Sequence, residues 1–267
     1  MHRAAMYGTY ALEVHGQALR RHRVFLCIAI AALYSLAMVV RMDQTLRVTS
    51  LDVSAGPFGC LPVPSLSVAA CPAQSVITVG QSVISRSMYP GTTVALCYTN
   101  TTIELTFSAM QQDAFFVKPT YGHNDNIWEY NVMEMFLALG DDDPTSYFEF
   151  EVSPTNQTYS AFILNPRRDF SPPVGHFYVG KDEAEARALG ITATTSMDET
   201  SQTWTSNASL PLNLFNVVNP KGSVWRMNFL RKITSPTTFP QLACGAWNAP
   251  NQDNFHLTSC FGRVHFE

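Results

Sequence analysis

Between Ile127 and Pro154 the chain places one indole and four carboxylates in reach of a single strand pair: Trp128, Glu129, Glu134, Glu149 and Glu151. A flat aromatic ring next to carboxylates suits sugars. A pyranose has an apolar C–H face that stacks on an indole, and its hydroxyls pair with carboxylates and amides. Trp128 follows a polar loop, Tyr121 to Asn126, and Trp247 lies in a polar, proline-containing loop, so both are expected at a rim. Trp204 and Trp225 stand in alternating strand patterns and are expected in the core. Paired carboxylates can also hydrolyse glycosides, but only as two groups at about 5–10 Å with separated pKa values. Alternation of Glu149 and Glu151 on a solvated strand face explains them without catalysis, and no enzyme is expected. Asp141, Asp142 and Asp143 offer oxygen ligands for calcium and also suit a solvated turn. His256 and His265 lack a third ligand at metal spacing, and Arg226 and Arg231 are expected to brace carboxylates across the sheet.

The elements that must hold these residues are strands. In Tyr147–Val152, Phe148, Phe150 and Val152 alternate with Tyr147, Glu149 and Glu151, a period of two. Val132–Leu139 is apolar on both faces, as a strand covered on both sides would be. Gly140, three aspartates and Pro144 form the turn between them. Further strands are expected over 75–83, 92–110, 159–164, 175–180, 224–233 and 261–266. The helix-like piece of this region is 181–189, ended by Gly190. Many short strands with irregular turns predict an all-β fold, an antiparallel β-sandwich, over residues 75–267.

Composition agrees. Charged residues are 14%, apolar residues 46%, and the net charge of −4 leaves no basic footprint for nucleic acid. Residues 1–23 form a basic tail ending in Arg20, Arg21, His22 and Arg23, and Val24–Val40 runs uncharged to Arg41. That length fits a signal peptide cut after Ala37 or an uncleaved signal-anchor helix holding the protein to a membrane through residues 24–40. Either places the remainder in the secretory lumen, secreted or as a single-pass type II membrane protein. Residues 41–74 are expected as a stalk or linker, or an extended leading strand. Sequons at Asn100, Asn156 and Asn207 are candidate glycosylation sites. Beyond Cys27 the cysteines suit an oxidising compartment, and sequence-local pairing suggests Cys60–Cys71 and Cys244–Cys260, with Cys97 left over.

Several blocks then stand in a recognisable order. They are Ile127-Trp128 with Val132-x-Glu134-x-Phe136, the Tyr147–Pro154 strand, and Trp204 ahead of Leu210-Pro211-Leu212. Trp225-Arg226-Met227-Asn228-Phe229-x-Arg231 follows, then Trp247 with Asn254-Phe255-His256 and Phe261-Gly262-x-Val264-x-Phe266. This set resembles the family 9 carbohydrate-binding modules and their eukaryotic relatives, which are related to the DOMON domains. The resemblance implies a non-catalytic β-sandwich holding a mono- or oligosaccharide end between two tryptophans, Trp128 and Trp247. Glu134 is then a hydroxyl-binding carboxylate, and calcium is a structural ion. Beside the resemblance, Asn248 and Arg168 are candidates for further polar contacts. The alternative is an extracellular structural or protein-interaction module that keeps the sandwich without the sugar site.

Overall fold

A computed structural model describes residues 59–110, 115–169 and 171–267. The tail, the signal segment and the first part of the stalk lie outside the described residues.

Three strands organise the rest: β6 (Val132–Leu139), β7 (Ser146–Val152) and β12 (Val224–Ile233). Each is buried on both faces along most of its length, as the dense apolar content of Val132–Leu139 requires. β6 pairs antiparallel with both others, so Glu134 faces Glu151 on one side and Leu230 on the other. β8 (Thr158–Leu164) and β9 (Gly175–Tyr178) extend the sheet beyond β7. β14 (Gly262–Phe266) lies beside β12, with β1 (Ser65–Val68) parallel to it at that edge. Two short strands, β3 (Gln81–Ser82) and β13 (Ala243–Ala246), branch from β12 and bring this sheet to nine strands among the described residues.

A second sheet of five strands packs against it, in the order β10 (Thr192–Asp198), β11 (Thr203–Pro211), β5 (Thr102–Ala109), β4 (Thr92–Tyr98) and β2 (Ser75–Thr78). β5 alternates buried and half-buried residues along its length, the signature of one wet face. Between the sheets lies a core that contains Trp204, Trp225, Phe107, Phe150 and Phe229, all fully buried. Each such side chain contributes about 1.5–3 kcal/mol of transfer free energy. Both tryptophans expected in the core are there. The expected helix is Glu183–Ala188, capped by the Asp182 carboxylate accepting from the Glu185 amide at 2.9 Å.

Of the two readings of 41–74, Ser65–Val68 takes that of the extended leading strand: it pairs into the sheet, so the sandwich begins ahead of residue 75. One expectation gives way to pairings that are non-local in sequence. The disulfides are Cys60–Cys260 and Cys71–Cys97, not Cys60–Cys71 and Cys244–Cys260. The parallel pairing of β1 with β14 carries Cys60 to Cys260, which immediately precedes Phe261 and β14. Just past β1, the Cys71 amide donates to the Tyr98 carbonyl at 2.8 Å, which sets Cys71 beside Cys97. Among the described residues, Cys244 is the free thiol.

Candidate functional site

The outer face of the nine-stranded sheet, turned away from the second sheet, is not bare. Val132, Phe136, Tyr147, Tyr159, Leu230 and Phe261 form a second apolar cluster there, roofed by loop residues such as Ile127, Ala249 and Phe255. Within it a groove opens, about 620 Å³ in volume. Its floor is polar: Glu134 from β6, Glu149 from β7 and Lys232 from β12. Its walls are aromatic and proline-rich, with Trp128, Tyr159 and Phe255 among them, and Pro172, Pro173 and Pro240 at the mouth.

The period of two in β7 puts Glu149 and Glu151 on this face, and the register sets Glu151 against Glu134. The three residues are 4%, 0% and 1% exposed for Glu149, Glu151 and Glu134, and each offers a carboxylate oxygen within 4.8 Å of the others. Three carboxylates cannot all be charged in so small and dry a space. Lys232 Nζ lies 2.8 Å from Glu134 Oε1 and neutralises that charge. Burial alone would strip the lysine of its proton, but Glu134 and Glu151 more than offset this and hold it protonated. Burial, reinforced by Glu134, pushes Glu149 up to about 8. The same two causes raise Glu151 well above the carboxylate range. Both are raised above neutrality, so at neutral pH Glu149 and Glu151 are held protonated.

Tyrosine–histidine pairs stiffen the walls. The Tyr147 hydroxyl lies 2.5 Å from His256 Nδ1, and this imidazole stacks on Phe136 with ring centres 5.3 Å apart. Burial drives His256 down to about 3, so it is neutral and accepts the phenolic proton. Tyr159 pairs likewise with His176 Nδ1 at 2.7 Å. Trp128, held by the short turn Ile127–Glu129, meets Tyr159 edge to face at 5.4 Å. Tyr159 meets Tyr178 at 5.7 Å in turn, so an aromatic line runs from the groove toward the β9 edge.

Of the residues expected to bind sugar, Trp128 and Glu134 come together here. The other three do not. Trp247 packs on the opposite side of the sheet, its ring 6.0 Å from Phe229 and over Gly262, where a Cβ would stand 2.3 Å from the indole. The loop is polar, as the sequence suggested, but the glycine in β14 opens a slot in which the half-buried ring packs against the core between the sheets. The two indoles therefore form no clamp. Asn248 is 2% exposed, and its amide donates to the Cys260 carbonyl at 3.0 Å. Arg168 is exposed, with its guanidinium donating to the Asp143 carbonyl at 3.3 Å, outside the groove.

The aspartate turn is solvated, with Asp141 and Asp142 exposed. Asp141 Oδ1 accepts from Arg263 at 2.6 Å and the Asp141 carbonyl accepts from Arg226 at 3.2 Å, so guanidinium groups already supply the positive charge there. Arg226 and Arg231 mainly brace carbonyls and hydroxyls rather than carboxylates. Arg231 reaches across the core to Thr92 Oγ1 at 2.6 Å.

Glu149, Glu151, Lys232, Tyr159, His176 and His256 were not anticipated as a site. One signal could have found the carboxylates. Val132–Leu139 is apolar on both faces, so its outer face is covered, and Glu134 shares that face with its cross-strand neighbours. Lys232 and the two histidines follow no spacing rule, because long-range pairing assembles them.

No family model matches the chain. It is 42% identical over 225 residues to an extracellular protein of the fungus Arthroderma benhamiae, covering 83% of this chain and 100% of that one. Among solved structures it is similar to a proposed carbohydrate-binding protein of Bacteroides uniformis. That likeness has a TM-score of 0.57 and 17% identity, over 77% of this chain and 100% of that one. It is also similar to a family 9 carbohydrate-binding module of Caldicellulosiruptor kristjanssonii, solved with cellotriose. There the TM-score is 0.45 and the identity 10%, over 76% and 93% of the two chains. At 17% identity, what the chain shares with the Bacteroides uniformis protein is the fold.

Proposed function

The chain belongs to the family of the Arthroderma benhamiae extracellular protein, and on that premise we propose that it is an extracellular, non-catalytic carbohydrate-binding domain whose ligand lies in the groove on the outer sheet face. The observation that carries this reading is the juxtaposition of a half-buried indole, Trp128, with a carboxylate floor in one open cavity. The indole stacks on the sugar's C–H face while Glu149, and Glu134 at its ion pair, accept from hydroxyls. The shared fold with a proposed carbohydrate-binding protein and the disulfides both support it. So do the sequons, since Asn100 and Asn207 are exposed. The carboxylates support binding over hydrolysis: Glu151 is wholly buried and Glu134 is tied to Lys232, which leaves Glu149 without an accessible partner across a glycosidic bond.

A small sugar buries little surface, so affinities are expected at about micromolar to millimolar. Calorimetric titration with a panel of oligosaccharides tests this. Binding by the wild type that weakens at least about ten-fold in Trp128→Ala, the worth of a lost stacking contact, supports the groove. Binding that is absent, or indifferent to Trp128, rejects it.

One observation favours a second reading, an extracellular structural or protein-interaction module. Trp247 packs, half-buried, against the core between the sheets and does not line the groove, so the sugar clamp implied by the resemblance is not assembled. A panel that yields no ligand, together with a protein partner whose binding is lost on changing the groove mouth, decides for the module.

A further inference from the structure

The groove leads to an aromatic ring beyond its own lining. On β9 the register pairs His176 with Ile163 and Tyr178 with Ala161, both partners belonging to the outer apolar cluster. Phe177 pairs with Phe162, which packs against the core between the sheets. His176 and Tyr178 therefore stand on the groove's face of the sheet, about 7 Å apart along the strand. His176 lines the groove and Tyr178 lies just past it, on the outermost strand of that side.

Tyr178 is 55% exposed, a large aromatic that the fold does not bury. Its ring meets Tyr159 at 89°, so at most one of its faces is taken. Other aromatics near Trp128 cover one another: Tyr130 stacks on Phe239 with ring centres 5.1 Å apart, and Lys118 lies over the ring of Tyr121. Trp128 and Tyr178 each meet Tyr159, at 5.4 and 5.7 Å, so this buried ring stands between two stacking surfaces. A hydrogen-bonding group accompanies it. His176 Nδ1 accepts from the Tyr159 hydroxyl at 2.7 Å, and partial burial keeps the imidazole neutral. Its Nε2 then carries the hydrogen and is left to donate.

Resting on the carbohydrate reading, we propose that Tyr178 is a second sugar subsite and that the ligand is a linear oligosaccharide, lying from Trp128 past His176 to Tyr178. A pyranose covers one ring, so two separate stacking surfaces take two units of one chain. Such a chain presents C–H faces repeatedly along its length, with hydroxyls between them for a donor such as His176. A lone terminal unit would want the opposite arrangement, two rings closing on one sugar, and Trp247 does not line the groove to provide it. The sheet edge beside Tyr178 lets the chain continue into solvent.

Calorimetric titration of the secreted protein at neutral pH tests the proposal with three series: β-1,4-linked glucose, β-1,4-linked N-acetylglucosamine and β-1,3-linked glucose, each from disaccharide to hexasaccharide. In a series that binds, affinity is expected to rise about five-fold or more with chain length and then level off, the worth of one further stacked ring. Tyr178→Ala should remove the rise, so that long and short members bind alike. Tyr178→Phe, which keeps the ring, should retain it, and Trp128→Ala should weaken every member. An affinity that is flat with length, or a rise that survives Tyr178→Ala, overturns the second subsite and leaves the groove reading standing. No binding by any member of any series refutes the groove reading and the subsite with it. Because the length dependence is read on the wild type, the test stands even where a variant folds poorly.

Discussion

The chemistry of the groove depends most on Lys232, the cation that makes a buried Glu134 tolerable. Its removal leaves a carboxylate that is 1% exposed with no counter-charge. Lys232→Met should therefore destabilise the domain by about 3 kcal/mol in denaturant unfolding, and Lys232→Met with Glu134→Gln should recover much of that loss. Glu149 gives a second prediction. It binds its proton more tightly folded than unfolded, at about 8 against 4.5, so its contribution is full in acid and is lost as pH rises to about 8. His256 has the opposite sign. Held at about 3 against 6.5, it costs stability only as pH falls below 6.5. Between about 6.5 and 8 the carboxylate acts without the histidine, so the thermal midpoint should decline across that interval, and less steeply in Glu149→Gln, where Glu151 still contributes. A midpoint that holds steady there would contradict a protonated floor. At this scale the sequence was half legible. Trp128 and Glu134 could be named from a strand pattern and a polar loop. The burial of Glu149 and Glu151 could not, because alternation looks the same whether the outer face meets water or a roof of loops.

The strand β14 decides the fate of Trp247. Gly262 leaves the space that the indole fills, so Gly262→Ala should cost about 2 kcal/mol by overpacking. Trp247→Ala should cost about 3–5 kcal/mol of stability by emptying core volume. Protein that remains folded after that change should keep its sugar affinity within about two-fold, unlike Trp128→Ala. Calorimetry on both variants distinguishes a core role from a binding role. Most elements were legible from their periods. The pairing of β6 with β7, the turn at Gly140 and the helix capped by Asp182 all follow from local residues. β13 was missed, because Ala243–Ala246 carries no alternation and becomes a strand only by pairing with Lys232 and its neighbours on β12.

Across the whole molecule, the disulfides tie the leading segment to the two sheets. Cys60–Cys260 spans a sequence separation of 200 and Cys71–Cys97 one of 26. By chain entropy alone they contribute on the order of 5 and 3 kcal/mol. Losing Cys60–Cys260 through Cys60→Ser with Cys260→Ser should accordingly lower the thermal midpoint more than losing Cys71–Cys97. The β-sandwich itself was legible from short strands and a low charge content. The bridges were not, since a cysteine's neighbour across a sheet has no signature in local spacing. The central claim is that ligand meets the outer face at Trp128 and not the core at Trp247. It is tested most directly by following the indole N–H signals of the four tryptophans by NMR during titration with the panel of oligosaccharides. A shift of the Trp128 signal with those of Trp204, Trp225 and Trp247 unmoved is the predicted result. A shift centred on Trp247, or no shift at saturating sugar, would contradict it.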